Sequence, residues 1–204
     1  MNEVLEIGKL LRASITGCVV GCAVSQLAVP QFGGMVRIPL EKGYQVYGLI
    51  YDIHIDDDGL VRQLVSAGQP VSQEIIDDNR LNRNVPVEIS ALFAGYAQGE
   101  RIFHLLPPRP PLTLDAIYPC SAEEIVGFSN AGRGRFGYFR HILRASDLPV
   151  GELIAAHLKQ AGEANQALGN PEWLSQATQE LIVLLRDDYP TLMSVLGAIG
   201  DFQA

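Results

Sequence analysis

Charged residues are scarce in this chain of 204 residues, and basic residues are the scarcer kind. Lys and Arg number 15 against 23 Asp and Glu, so that 19% of the chain is charged and the formal net charge is −8. Because an acidic chain repels phosphate backbones, we do not expect direct binding to DNA or RNA. The hydrophobic fraction of 48% in turn excludes a disordered tail, a coiled coil and a collagen-like fibre.

Cysteine is also rare, with 3 residues in the whole chain. This number is too small, and odd, for a disulfide framework, so the sequence predicts a reduced, cytoplasmic protein. Cys18 and Cys22 both lie in a strand-like stretch, and no pair of histidines follows them at zinc-finger spacing. We therefore expect both to be small buried hydrophobic residues rather than zinc ligands.

Uninterrupted apolar runs of membrane-spanning length are lacking as well. Residues 13–36 carry no charge, but polar side chains, glycines and Pro30 interrupt the run. The acidic residues Glu3 and Glu6 occupy the region where a signal peptide would be basic. We expect neither a membrane segment nor export, and we interpret this stretch as buried strand.

Recognisable catalytic motifs are also absent from the sequence. Residues 132–137 are glycine-rich but lack the Gly-Lys-Ser/Thr ending with which a P-loop engages phosphate and magnesium. The serines and the histidines show no nucleophile-elbow pattern. The sequence therefore predicts no ATPase activity, no catalytic residue and no cofactor.

The first half of the chain is rich in strand patterns. Residues 15–24 are β-branched or small, and the pattern over 45–55 alternates from Tyr51 onward. Strands are also predicted at 85–96 and 101–106, joined by a Gln98-Gly99-Glu100 turn typical of a hairpin. The polar stretch at about 56–84 between them has the character of a helical insertion.

Prolines 107, 108, 110 and 111 are expected to end the β part with a stiff, extended exit. The alternative is that they form a ligand for a proline-reading domain.

Beyond Pro119 the pattern becomes helical, since Ser121 and Glu124 have capping-box spacing and apolar residues recur at helical spacing after Pro149. Gly169-Asn170-Pro171 and Tyr189-Pro190 are the expected breaks between helices.

Four segments of the first half share a glycine-containing strand pattern: residues 7–11, 17–21, 34–38 and 46–53. Together they resemble the HAS-barrel, the small β-barrel at the N-terminus of HerA-type hexameric DNA translocases. The family has a glycine-rich first strand, a G-x-x-V second strand and a V-x-G-x-V third strand. A related barrel forms the N-terminal crown of rotary ATP synthase subunits, and the hairpin at 87–106 would supply the closing strands here.

The resemblance implies a module for assembly, because barrels of HerA-type ATPases order the hexamer and dock a partner nuclease. Acidic helical patterns follow where the family's P-loop domain would stand, so no catalytic or nucleotide-binding residue carries over. The implied partner is a HerA-like ATPase or nuclease, and a homo-oligomer is the other form of assembly that we expect. The expected function is a non-enzymatic adaptor that binds a partner protein.

The expected fold is mixed β and α: a HAS-like barrel over 1–118 with a helical insertion at about 56–84, and a helical C-terminal subdomain over 119–204. A barrel of about six strands fills its interior with side chains and leaves no large ligand cavity. The residues predicted to point inward are Val19, Ala23, Val36, Ile38, Val46, Leu49, Ile53, Ile89 and Leu92.

Two groups of side chains leave alternatives open. Asp52, His54 and Asp56 share one strand face, which is either a solvated face or the divalent-cation site of a small metal-dependent enzyme. The second group comprises Arg133, Arg135, Arg140 and Arg144. These arginines either lie against the acidic C-terminal helices or contact an anion or partner protein, and the first three suggest a nucleotide-sensing module.

Overall fold

The structure is a computed structural model that describes residues 6–25, 30–55, 59–68, 70–81, 84–132 and 136–203. Within these ranges the strands are β1 (Gly8–Ala13), β2 (Gly17–Ser25), β3 (Met35–Pro39), β4 (Tyr44–Ile55), β5 (Asn84–Gln98), β6 (Arg101–Phe103) and β7 (Ala116–Pro119). The helices are α1 (Leu60–Ser66), α2 (Gln73–Leu81), α3 (Ala122–Ser129), α4 (Phe139–Leu143), α5 (Val150–Ala167), α6 (Trp173–Leu184) and α7 (Tyr189–Gln203).

Six antiparallel strands close into a barrel, which confirms the expected mixture of barrel and helices. The order around the ring is β2-β1-β7-β3-β4-β5, and pairing between β2 and β5 closes it. β6 pairs with the end of β5 as the predicted hairpin, whose Gly99 has a φ of 60°. Helices α1 and α2 occupy the predicted insertion between β4 and β5.

The proline-rich segment does not end the β part, and that prediction is wrong by one strand. β7 follows the prolines and lies between β1 and β3, through the pairs Gly8↔Ile117 and Val36↔Pro119. Its 4 residues are too few to show an alternating pattern in the sequence. The prolines therefore connect two strands, with Pro107 buried at the start of the segment.

Side chains from every strand of the ring fill its interior. They are Leu10, Cys18, Val20, Val36, Ile38, Val46, Ile50, Val87, Ile89, Ala91, Phe93, Tyr96 and Ile117. Each fully buried aliphatic or phenylalanine side chain contributes about 1.5–3 kcal/mol before the entropy cost is subtracted. Cys18 is part of this core, as predicted, and burial raises the pKa of its thiol to about 12.

The inward-facing set differs in part from the one predicted. Val36, Ile38, Val46 and Ile89 belong to the interior and Ile53 packs against it, as expected. Leu49 is buried on the outer face instead. It lies three residues after the inward-facing Val46, and residues three apart in a regular strand point to opposite faces. Leu92 also packs on that outer face. Val19 lies between Cys18 and Val20, which both point inward, so it belongs to the opposite face of the strand and not to the interior. The side chain of Ala23 lies outside the described residues.

Helices cover one outer face of the barrel. Met35, Tyr47 and Leu49 join Phe128 of α3 and Trp173 of α6 in a second hydrophobic core, which also includes residues of α4, α5 and α7. Packing is therefore continuous from the strands to the helices. The division at residues 118 and 119 stays a prediction about domains.

The start of α3 and the break between α5 and α6 lie where the sequence signals predict, whereas Tyr189 and Pro190, an expected break, are the first residues of α7. The Ser121 hydroxyl accepts a hydrogen bond from the Glu124 N–H at 3.2 Å, and Glu124 Oε2 accepts one from the Ser121 N–H at 2.9 Å. These two bonds form the capping box that starts α3. The break at Gly169, whose φ is 90°, separates α5 from α6. Among the described helices, none has the length and apolar character that a bilayer span requires.

Candidate functional site

A cleft of about 660 Å³ lies where the turn between β1 and β2 faces α4. Its cationic lining consists of Arg12, Arg140 and Arg144, with His141 beside them, and we call it the arginine cleft. Hydroxyls of the turn and apolar side chains from the barrel and the loop after α4 complete the lining: Ser14, Thr16, Tyr51, Leu92 and Leu148. The described residues that line the cleft include no carboxylate, although the chain as a whole has a net charge of −8.

Local hydrogen bonds fix the turn that forms one side of the arginine cleft. The Ser14 hydroxyl accepts hydrogen bonds from the backbone N–H groups of Thr16 and Gly17, at 3.1 and 3.2 Å. The turn also lies close against β5, since a Cβ atom at Gly17 would stand 2.5 Å from the carbonyl oxygen of Ala91. The position of Arg12 at the end of β1 is therefore set by the strand and by this turn.

Two side chains of α4 hold the other side of the cleft in place. The Arg140 guanidinium donates a hydrogen bond to the backbone carbonyl of His104, just after β6. His141 Nε2 lies 3.2 Å from the same carbonyl oxygen. His104 is itself buried, with its Nε2 2.9 Å from the carbonyl oxygen of Phe128. This contact joins α4 to the barrel and leaves Arg140 partly committed to the backbone.

The remaining two arginines have little to neutralise them. Arg12 is 4.0 Å from Glu88, and its side chain is 72% exposed. Arg144 is exposed and has no ion pair with another described residue. Burial lowers the pKa of His141, and the charges of Arg140 and Arg144 lower it further. The arginine cleft is therefore a cationic site in which a histidine is held neutral near pH 7.

The structure brings only part of the predicted arginine group to this site. Arg140 and Arg144 line the cleft, whereas Arg133 and Arg135 lie outside the described residues. Among the described residues, neither Arg140 nor Arg144 forms an ion pair with a carboxylate of the C-terminal helices. Sequence reasoning missed Arg12, because it lies in the first strand and only the closed fold places it near α4.

Asp52 and His54 lie on the outer face of β4 and are exposed, in alternation with Ile53 and Ile55 as predicted. His54 stands opposite Glu88 of β5 in the strand register. Among the described residues, no group of three His, Cys, Asp or Glu side chains is placed to hold a metal ion. Asp56, the third member of the predicted group, lies outside those residues.

A second surface of interest lies on both sides of the turn between α6 and α7. Large apolar side chains there are exposed to solvent, and we call them the α6–α7 surface: Ile182, Val183, Leu184, Tyr189 and Met193. Tyr189 is 68% exposed and Val183 is 59% exposed. The intervening turn carries the acidic residues Asp187 and Asp188. Sequence periodicity marks these helices as amphipathic but does not show which apolar residues remain uncovered.

Comparison with known proteins gives no relative on which to base a function. No family model matches the chain, and no curated protein matches its sequence.

Proposed function

We propose that this protein is a non-enzymatic adaptor whose outer surface binds a partner protein, and that the partner is a HerA-like DNA-processing ATPase. Two observations support the adaptor: a barrel whose interior is occupied by side chains and an exposed apolar surface at the α6–α7 turn. The identity of the partner rests on the resemblance of residues 7–53 to the HAS-barrel.

The packed interior supports a role for the outer surface. Thirteen buried side chains from all six strands of the ring occupy the space where a larger barrel would hold a ligand. A barrel filled in this way positions its loops and appended helices but binds no large molecule inside. Recognition of a partner therefore falls to the exterior.

The exposed side chains of the α6–α7 surface carry the proposal. Tyr and Met are enriched at the centres of protein interfaces, and leaving Tyr189 and Met193 in water forgoes the free energy that their burial would release. Exposed apolar side chains that cluster along a short stretch of chain mark interaction sites more often than isolated ones do.

The charge around this surface indicates the chemistry of the partner. Residues 147–204 contain two basic and eight acidic residues. The turn itself carries Asp187 and Asp188 together with Arg186, whose Nε lies 3.1 Å from Asp187 Oδ2. Because complementary charges steer association and select partners, the matching surface has an apolar centre with basic residues at its rim.

The test mixes the purified full chain with the HerA-like ATPase of the same organism and measures the complex by size-exclusion chromatography with light scattering. We expect a complex, and we expect Val183→Glu combined with Met193→Glu to weaken it by at least about tenfold, as measured by calorimetry. Each substitution places a charge on the proposed interface without changing a buried residue.

Val65→Glu is the matched control, because Val65 is 72% exposed on α1 in the inserted region. It should leave the complex unchanged, and all variants should keep the circular dichroism of the parent protein. Failure of the two proteins to associate would overturn the proposal. A chain that associates only with itself, or an equal loss in the Val65→Glu variant, would overturn it too.

A further inference from the structure

The arginine cleft has the volume and the mixed lining of a small-molecule site. Its volume of about 660 Å³ lies within the range of about 300–1,000 Å³ that is typical of ligand pockets. One part of the lining is cationic, and another part is apolar, with Tyr51, Leu92 and Leu148. A ligand that suits both parts carries an anionic group and an apolar or aromatic body.

The cationic part of the lining fits an anionic group, and phosphate in particular. Arginine presents a planar fork of N–H donors that pairs with two oxygen atoms of a phosphate at once. Arg144 is free of ion pairs with other described residues, and Arg12 has one distant carboxylate neighbour at 4.0 Å. Arg140 is anchored to the His104 carbonyl, so that it adds charge while keeping α4 in position.

The turn between β1 and β2 adds the Thr16 hydroxyl as a donor beside the arginines, whereas the Ser14 hydroxyl donates to the carbonyl oxygen of Gly17 at 3.2 Å. Ser14 and Thr16 both line the cleft, and their hydroxyl oxygens lie 3.1 Å apart. Hydroxyl donors commonly accompany arginine around bound phosphate, because phosphate oxygens accept several hydrogen bonds each. Tyr51 and Leu148 provide the apolar contact that a base or similar ring would need.

We propose that the arginine cleft binds a phosphate-bearing small molecule of nucleotide size, with its phosphate against Arg12 and Arg144 and its apolar body against Tyr51 and Leu148. This site lies on the barrel and α4, and it does not include any residue of the α6–α7 surface. The adaptor proposal and this one can therefore fail separately.

Isothermal titration of the full chain with AMP, ADP, ATP, inorganic phosphate and adenosine tests the proposal. We expect the nucleotides to bind with dissociation constants below about 1 mM, inorganic phosphate to bind more weakly, and adenosine to give no heat. Equal binding of adenosine and AMP would overturn the assignment of the phosphate to the arginines. No heat with any nucleotide or with phosphate at about 5 mM would overturn the site itself.

Substitutions distinguish nucleotide binding at this site from nonspecific attraction of anions to the protein. Arg144→Gln and Arg12→Gln should each weaken nucleotide binding by about tenfold, since each removes a charge-assisted contact. Arg186→Gln is the matched control, because Arg186 is exposed, is paired with Asp187 and does not line the cleft. Equal weakening by all three variants would overturn the proposal.

The imidazole of His141 gives a second readout that does not depend on heat. An anion bound beside it stabilises the protonated ring, so the NMR titration midpoint of His141 should move to higher pH when AMP is added. The groups that face this ring are Arg140, Arg144 and the His104 carbonyl. An unmoved midpoint at saturating AMP would show that the nucleotide binds elsewhere and would overturn the proposal.

Discussion

Arg37 of β3 contacts both carboxylate oxygens of Glu124 in α3, with its Nε 2.8 Å from Oε1 and 3.1 Å from Oε2. The same guanidinium lies over the ring of Tyr118 in β7, with its carbon 5.1 Å from the ring centre. Glu124 also completes the capping box of α3 through the Ser121 N–H. One carboxylate thus joins two strands of the barrel to the start of the first helix that covers it.

Replacing this carboxylate should cost stability. Glu124→Ala removes the ion pair and half of the capping box, and we expect the free energy of unfolding to fall by about 1–2 kcal/mol. Urea unfolding followed by circular dichroism measures it. Glu123→Ala is the control, since Glu123 is the exposed neighbour in the same turn. Equal effects of the two substitutions would contradict the role assigned to Glu124.

Acid should destabilise the protein through His157. This residue is fully buried in α5, where its Nε2 lies 2.9 Å from the Tyr138 hydroxyl, and burial lowers its pKa from 6.5 to about 4. Between these two values the unfolded chain binds the proton more readily than the folded chain. The contribution of His157 to the free energy of unfolding therefore keeps its full value above pH 6.5. It falls by about 3 kcal/mol as the pH decreases from 6.5 towards 4.

The measurement is the free energy of unfolding as a function of pH for the wild type and for His157→Gln. Glutamine keeps a partner for the Tyr138 hydroxyl but does not titrate, so the variant should show a flatter dependence between pH 6.5 and 4. Parallel curves for the two proteins would contradict this prediction.

Because α5 lies very close to the backbone at position 33, we expect no residue larger than glycine to be tolerated there. Gly33 has a φ of 76°, and an added Cβ atom would lie 2.4 Å from the Cβ of Ala156. Gly99→Ala is the matched control, because its φ is 60° but no atom lies within 4 Å of the added carbon. We expect about 1 kcal/mol of backbone strain in the control and a larger loss in Gly33→Ala. Thermal unfolding that ranks them equally would contradict the close approach.

Local signals in the sequence were sufficient for much of the fold. The Gly99 turn, the capping box at Ser121 and the break at Gly169 each depend on residues within a few positions, and the structure confirms all three. β7 was missed because its 4 residues follow a run of prolines. Leu49 and Leu92 were placed on the wrong face because helices bury the outer side of β4 and β5 as well.

The arginine cleft could be anticipated only in part. Arg140 and Arg144 stand out in the sequence because a basic stretch precedes acidic helices, whereas Arg12 is an ordinary strand residue near the start of the chain. Their proximity depends on the closure of β2 against β5 and on the attachment of α4 to the His104 carbonyl. No spacing rule within the sequence encodes contacts of such long range.

The position of β7 between β1 and β3 determines when the ring can be completed during synthesis. Until residue 119 has emerged from the ribosome, β1 and β3 each expose one row of unsatisfied backbone groups, which is a template for adding strands of other molecules. A nascent chain that is truncated before that point therefore has an open sheet with two unpaired edges and is prone to aggregation. The four residues of β7 pair with both edges and so remove this risk.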